Sequence, residues 1–207
     1  MKTRSKALIL VLCVVLLVSA SVLGTMAYLT AKTEKVVNTF TLGEVGALSL
    51  NETSGTPGET SRVHKIIPGT NTAKNPKVAY DAEDNDEAVY VFVEIGAENW
   101  KFTNNTYTYE HKGEDCLTWT VNDGWTAVDG ESGVYYKALA AGTDLAATSI
   151  IKNDVIAVDG NNVNQNNIEA VATGAGELTF VAYAIQQAGF EDDVPGAWAA
   201  LKAQVNS

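Results

Sequence analysis

The sequence predicts an all-β domain, a jelly-roll or Greek-key β-sandwich with one short C-terminal helix, and three observations lead there. Short segments rich in Val, Ile, Thr, Tyr, Phe and Trp recur along the chain, separated by Gly, Asn, Asp and Pro. Segments of helical period do not alternate with them, so no βαβ pattern arises. The chain has 207 residues, 46% hydrophobic and 19% charged, which is enough apolar material for one packed core.

At the N-terminus, Lys2, Arg4 and Lys6 precede an apolar run from Ala7 to Val18 that continues through small residues to Leu23 and then Gly24-Thr25-Met26-Ala27. This is the layout of a secretory signal peptide. Thr25 and Ala27 suit the small pockets of a signal peptidase, which puts the cut before Tyr28 and divides the chain into a signal, 1–27, and a single domain, 28–207. Ala7 to Leu23 is 17 residues, the lower limit of the roughly 17–25 that span a bilayer, so an uncleaved anchor is the competing reading. Cys13 lies inside the run, with Leu12 where a lipobox needs Gly or Ala, and leaves with the signal. Membrane contact is expected only through the signal before cleavage.

The strands follow in order. In Val36 to Leu42, Val36, Phe40 and Leu42 share one face with Asn38 while Val37, Thr39 and Thr41 take the other, a period-two pattern able to enter a sheet. Val45 to Leu50 and Arg62 to Ile67 are short candidates; Pro68-Gly69 is a turn, and Asn75-Pro76 belongs at a strand start or edge. The clearest strand is Val89 to Ile95, with Val89, Val91, Val93 and Ile95 on the core side. Leu117 to Val121, Trp125 to Val128 and Val134 to Leu139, linked by turns at Asn122-Asp123-Gly124 and Asp129 to Gly133, read as a meander with Leu117, Trp119 and Val121 inward. Ile150-Ile151 and Val155 to Val158 are short strands, and Asn161 to Asn167 is a surface loop. Leu178 to Ile185 is apolar on both faces, as in a central strand between covering layers. At the end, Asp192 and Asp193 before Val194-Pro195, then Trp198, Leu201 and Val205 at helical spacing, predict the short amphipathic helix.

Charge and composition exclude several functions. Lys and Arg total 14 against 25 Asp and Glu, and beyond residue 27 the balance is 11 against 25, a net charge of −14. Nucleic acid and anionic membrane surfaces need clustered cations, so neither is an expected partner. After the signal only Cys116 is left, which makes no internal disulfide and reads as a small buried hydrophobe. His64 and His111 are the two histidines, with no His-Glu-x-x-His motif, so no metal, cofactor or catalytic residue is expected and the chain reads as a non-enzyme. Neither a Ser nucleophile context nor a Gly-rich phosphate loop occurs. Asp81, Glu83, Asp84, Asp86 and Glu87 lack the Gly and terminal Glu of an EF-hand and read as a hydrated acidic turn, and Asp159-Gly160-Asn161-Asn162 is a weaker case of the same kind.

Three stretches carry a family resemblance. GTMAYLTAKTEKVVNTFTLGEV (Gly24 to Val45), IIPGTNTAKNPKV (Ile66 to Val78) followed by AVYVFVEI (Ala88 to Ile95), and AYAIQQAGFEDDVPGAWAAL (Ala182 to Leu201) resemble segments of the TasA and camelysin family, in that order along the chain. These are exported proteins of Gram-positive bacteria whose signals are cut by a SipW-type signal peptidase. The resemblance implies a jelly roll and a secreted, self-associating structural subunit of an extracellular biofilm matrix or cell-surface fibre. It also favours donation of the Tyr28 to Leu42 strand to the sheet edge of a neighbouring subunit over pairing within its own sandwich. Camelysin brings the label of a metalloprotease, against which the missing zinc motif weighs; the pure protein is expected to show no chelator-sensitive cleavage of casein. The alternative function is a surface binding module in which exposed Trp100, Trp119 or Trp125 stacks on polysaccharide, although tryptophan is on average highly buried and a core role is the favoured reading.

Overall fold

A computed structural model describes residues 46–57, 62–82 and 87–205. The signal segment, the cleavage residues Thr25, Ala27 and Tyr28, and the assembly strand with Val36, Phe40 and Leu42 lie outside the described residues.

The elements run β1 (Ala47–Asn51), β2 (Thr56–Pro57), β3 (Arg62–Val63), β4 (Asn71–Ala73), β5 (Lys77–Asp81), β6 (Val89–Gly96), β7 (Lys101–Thr103) and β8 (Thr106–His111). They continue with β9 (Glu114–Thr120), β10 (Thr126–Ala127), β11 (Val134–Leu139), β12 (Leu145–Ser149), β13 (Val155–Val158), α1 (Ile168–Ala175), β14 (Thr179–Gln186) and α2 (Val194–Val205). All the pairings are antiparallel and form sheets ordered β1-β5-β12, β10-β11-β6-β14 and β4-β13-β9-β8-β7, with β2 and β3 as a small ribbon. The chain is mostly β, as its sequence predicts.

Strand β6 is the hub because both its faces are apolar. Val89, Val91, Val93 and Ile95 enter the main core with Tyr107, Leu117 and Trp119 of the β8-β9 sheet. Tyr90 and Phe92 point the other way, into a second core closed by Ala197, Trp198 and Leu201 of α2. The two sheets and the helix thus form successive layers. In the main core Tyr107 stacks on its cross-strand partner Trp119 with centroids 4.3 Å apart and planes 3° apart.

Among the described residues, burial leaves the indole nitrogens of Trp119 and Trp125 in the aromatic core without a hydrogen bond, while the buried hydroxyls of Tyr107 and Tyr135 face each other. Burial also pushes the Tyr135 hydroxyl pKa strongly upward, reinforced by Tyr107 beside it. Tyr135→Phe leaves the buried Tyr107 hydroxyl without that neighbour and is expected to lower stability by about 1 kcal/mol, read from the midpoint of urea unfolding.

Five sequence expectations change. The meander is split between sheets: β9 belongs to the five-stranded sheet, and β10 and β11 to the sheet of β6. The Asn122 turn does not close a hairpin because its groups are used elsewhere. The Asn122 backbone N–H donates to the Ile150 carbonyl at 2.8 Å and its side-chain amide to the Ser149 carbonyl at 2.9 Å. Strand β14 is the outer strand of its sheet and half-buried, while β6 takes the central place. Arg62 to Ile67 keeps the alternating burial of a strand, but only Arg62 and Val63 pair in a ladder. Val205 is exposed, leaving Trp198 and Leu201 to dock α2.

The fifth change is α1, a second helix that the sequence reading left out. Its apolar positions Ile168, Val171, Ala172 and Ala175 have helical spacing, and Val171 and Ala175 are buried. The close approach to β8 explains Gly174, where an added Cβ would lie 2.0 Å from the Tyr109 hydroxyl. The helix ends at Gly176, whose φ is +65°. Also unforeseen were the hairpins of β7, β8 and β9. Their two-residue turns, Asn104-Asn105 and Lys112-Gly113, all have positive φ, which the tight primed turns of hairpins require.

Candidate functional site

The alternation of buried residues at Thr72, Lys74, Pro76, Val78 and Tyr80 runs from β4 through β5. It places a lysine on the inward face. A buried ammonium needs a partner, and three stretches converge to supply it. Glu52, just after β1, accepts from Lys74 Nζ through Oε2 at 2.7 Å. Its Oε1 accepts from the Ser54 hydroxyl at 2.8 Å and from the Asn75 backbone N–H at 3.3 Å. His64, just after β3, sets its Nε2 3.2 Å from Glu52 Oε1 and 3.4 Å from Lys74 Nζ. Its Nδ1 is 2.8 Å from the Ala73 carbonyl oxygen, which only accepts, so Nδ1 carries a proton.

Asn75 completes the frame, its side-chain oxygen accepting from the backbone N–H groups of Thr53 and Ser54 at 3.0 and 2.8 Å. Lys74 Nζ also lies 5.4 Å from the centre of the Phe180 ring, on β14.

This cluster borders a half-open cavity of about 710 Å³. Its apolar walls include Trp100, Leu117, Ile156 and Phe180, and charge enters from Glu52, Arg62, His64, Lys74 and Glu177. The volume falls in the range of small-molecule pockets, roughly 300–1,000 Å³. Burial raises the Glu52 pKa, but hydrogen bonds from Lys74 and Ser54 with the nearby positive charge outweigh it and hold the carboxyl below its usual range. Burial and the Lys74 charge push the His64 pKa down, against the pull of Glu52.

The chemistry available is that of an ion-pair network beside an apolar hollow. Among the described residues, Ser54 bonds to Glu52 and Asn75 and makes no hydrogen bond to His64, so no activated hydroxyl is assembled. Nor do three or more His, Cys, Asp or Glu gather as metal ligands among the described residues.

The residues singled out in the sequence scatter. His64 enters the cluster, whereas His111 ends β8 opposite Glu114. Trp100, Trp119 and Trp125 are all buried, which removes Trp119 and Trp125 as sugar-stacking candidates and leaves Trp100 only as part of the cavity wall. Trp100 instead donates its indole N–H to the Ala175 carbonyl at 2.9 Å, closing the end of α1. Cys116 is buried, and burial pushes its thiol pKa up. The Asp159 carboxylate accepts from the backbone N–H groups of Asn161 and Asn162 at 2.7 and 3.0 Å, so it is committed to its own turn. Glu83, Asp84 and Asp86 lie outside the described residues. Lys74 and Glu52 were missed; the available signal was a lysine in step with Thr72, Pro76 and Val78.

No helix among the described residues is long and apolar enough to cross a membrane. No family model, curated protein or solved structure matches the chain.

Proposed function

We propose that the chain is a secreted, non-enzymatic structural subunit of an extracellular matrix or cell-surface fibre, built on a jelly roll. One observation carries this reading. Among the described residues, β14 pairs only with β6, and its eight residues, TFVAYAIQ, contain neither charge nor proline. Soluble proteins ordinarily protect a long edge with Lys, Pro, bulges or a covering element. Among the described residues no ladder covers this edge, and an edge of this length and composition is a template for strand addition. Strand β1, the outer strand of the neighbouring sheet, runs near β14 without a ladder between them.

The motif order resembling the TasA and camelysin family, the acidic composition and the signal-like N-terminus support the same reading. A SipW-type peptidase would be the processing partner, and self-association the assembly mode. The polysaccharide-binding alternative loses the exposed tryptophan platform and keeps only the cavity beside Lys74, with Trp100 in its wall.

The test is negative-stain microscopy of protein lacking residues 1–27, together with intact mass of the exported form. Filaments and a mass beginning at Tyr28 are expected. Monomers at every concentration examined would remove the fibre reading, and a retained N-terminus would indicate an anchored protein.

A further inference from the structure

We propose that Glu52, His64 and Lys74 form a proton-operated clasp, which at neutral pH ties the extended stretch 62–67 to the β4–β5 connection at the cavity mouth and lets go in mild acid. Each group comes from a different stretch of chain, and the three lie in a ring of close approaches: Lys74 donates to Glu52 at 2.7 Å and to His64 Nε2 at 3.4 Å, while Nε2 faces Glu52 Oε1 at 3.2 Å, a hydrogen bond only when Nε2 is protonated. Few ladder bonds compete with it, since the stretch pairs with β2 at only two positions. Apart from the ring, the stretch is held by the His64–Ala73 bond, by the Thr72 hydroxyl donating to the Lys65 carbonyl at 3.2 Å, by the Thr70 backbone N–H and hydroxyl donating to the Ile67 carbonyl at 3.2 and 2.8 Å, by Arg62 donating to the Ser54 and Gly55 carbonyls at 3.5 Å, and by Ile66 packing against the main core.

The tautomer makes the ring sensitive to one proton. With Nδ1 donating to Ala73, neutral His64 presents a bare Nε2, which accepts from Lys74 while Lys74 also donates to Glu52. The cluster then contains one cation, one anion and one neutral acceptor. A proton on Nε2 turns that acceptor into a donor toward Glu52 and sets an imidazolium beside the Lys74 ammonium, two cations on one carboxylate away from bulk water. Glu52 Oε1, the oxygen that faces Nε2, already accepts from Ser54 and Asn75, so it has little left to give a second cation. Arg62, on the same stretch as His64, adds a further positive charge, and Glu177 lines the cavity from the α1–β14 connection.

The direction of the linkage follows. The folded state holds His64 below its ordinary value of 6.5, so the clasp contributes fully above that pH and weakens as pH falls from it through the folded value. Glu52, held below its ordinary 4.5, loses its contribution only in stronger acid. Release therefore begins with the histidine.

Amide hydrogen exchange of the protein lacking residues 1–27, at about pH 7.5 and about pH 5.5 with rates corrected for intrinsic chemistry, is the test. Peptides from residues 62–76 are expected to lose protection in acid relative to β6 peptides, by up to about tenfold, because about pH 5.5 lies one unit below the ordinary histidine value of 6.5. Equal protection at the two pH values overturns the proposal. In Lys74→Met, His64 becomes the one cation facing Glu52, and acid is expected to strengthen protection of the same peptides; an unchanged acid loss overturns it. His64→Gln keeps a donor for Ala73 and cannot titrate, so its profile is expected to be flat, and a persisting acid loss is equally fatal.

Discussion

Trp198→Ala is expected to destabilise the domain by about 3–5 kcal/mol, the range for removing a large buried aromatic ring, and to lower Tm by on the order of 10 °C. Trp198 is 3% exposed. Its ring lies 5.3 Å from the centre of Phe92 and 5.5 Å from that of Tyr183, so it fills the space between α2 and both β6 and β14. Lys202, one turn on, donates to both Glu94 carboxylate oxygens at 3.1 and 2.9 Å and lies over the indole at 5.2 Å, so loss of the ring also loosens that ion pair. Thermal unfolding gives the magnitude, and exchange of α2 amides shows where it falls. A loss under about 1 kcal/mol would mean that the helix is held by the ion pair and not by the second core.

On the proposed fibre reading, deletion of residues 28–40 from protein lacking residues 1–27 is expected to abolish filaments while leaving a folded monomer. The prediction rests on the period-two pattern of Val36, Phe40 and Leu42 and on the uncharged outer edge of β14, which has no ladder partner beyond β6 among the described residues. A strand added head to tail does not close on itself, so its loss removes propagation and leaves the fold of one subunit intact. Near-ultraviolet circular dichroism reports the buried Trp119 and Trp198, and microscopy reports the filaments. Truncated protein that assembles as far as the full form would show that other edges drive the assembly.

The strands β6, β9, β11 and β13 stand out because β-branched and aromatic residues concentrate in them, and a strand with such composition keeps its conformation in almost any sheet. The end of the chain was similarly plain. Asp193 Oδ1 accepts from the Gly196 N–H at 2.9 Å, the local capping bond that Asp-Val-Pro announces. The α1 helix was obscured by the Asn run before it and by Gly174, whose reason is a neighbour 65 residues earlier in the chain, Tyr109. The hairpin turns at Asn104-Asn105 and Lys112-Gly113 were legible in principle, through residues that tolerate positive φ, but lay between segments with little apolar contrast.

The sequence by itself determined the β class, the core residues of its strongest strands and the position of the C-terminal helix, since periodicity and capping act over a few residues. Tertiary structure decided which strand is central and which is an edge: β6 and β14 are equally apolar on both faces, and only the pairing of β11 with the far side of β6 separates them. It also decided the fate of Lys74. Its inward place follows from local alternation, but Glu52 and His64 reach it across 22 and 10 positions of chain. The cost of burying a charge is fixed by whatever the fold brings against it, and no local pattern records that.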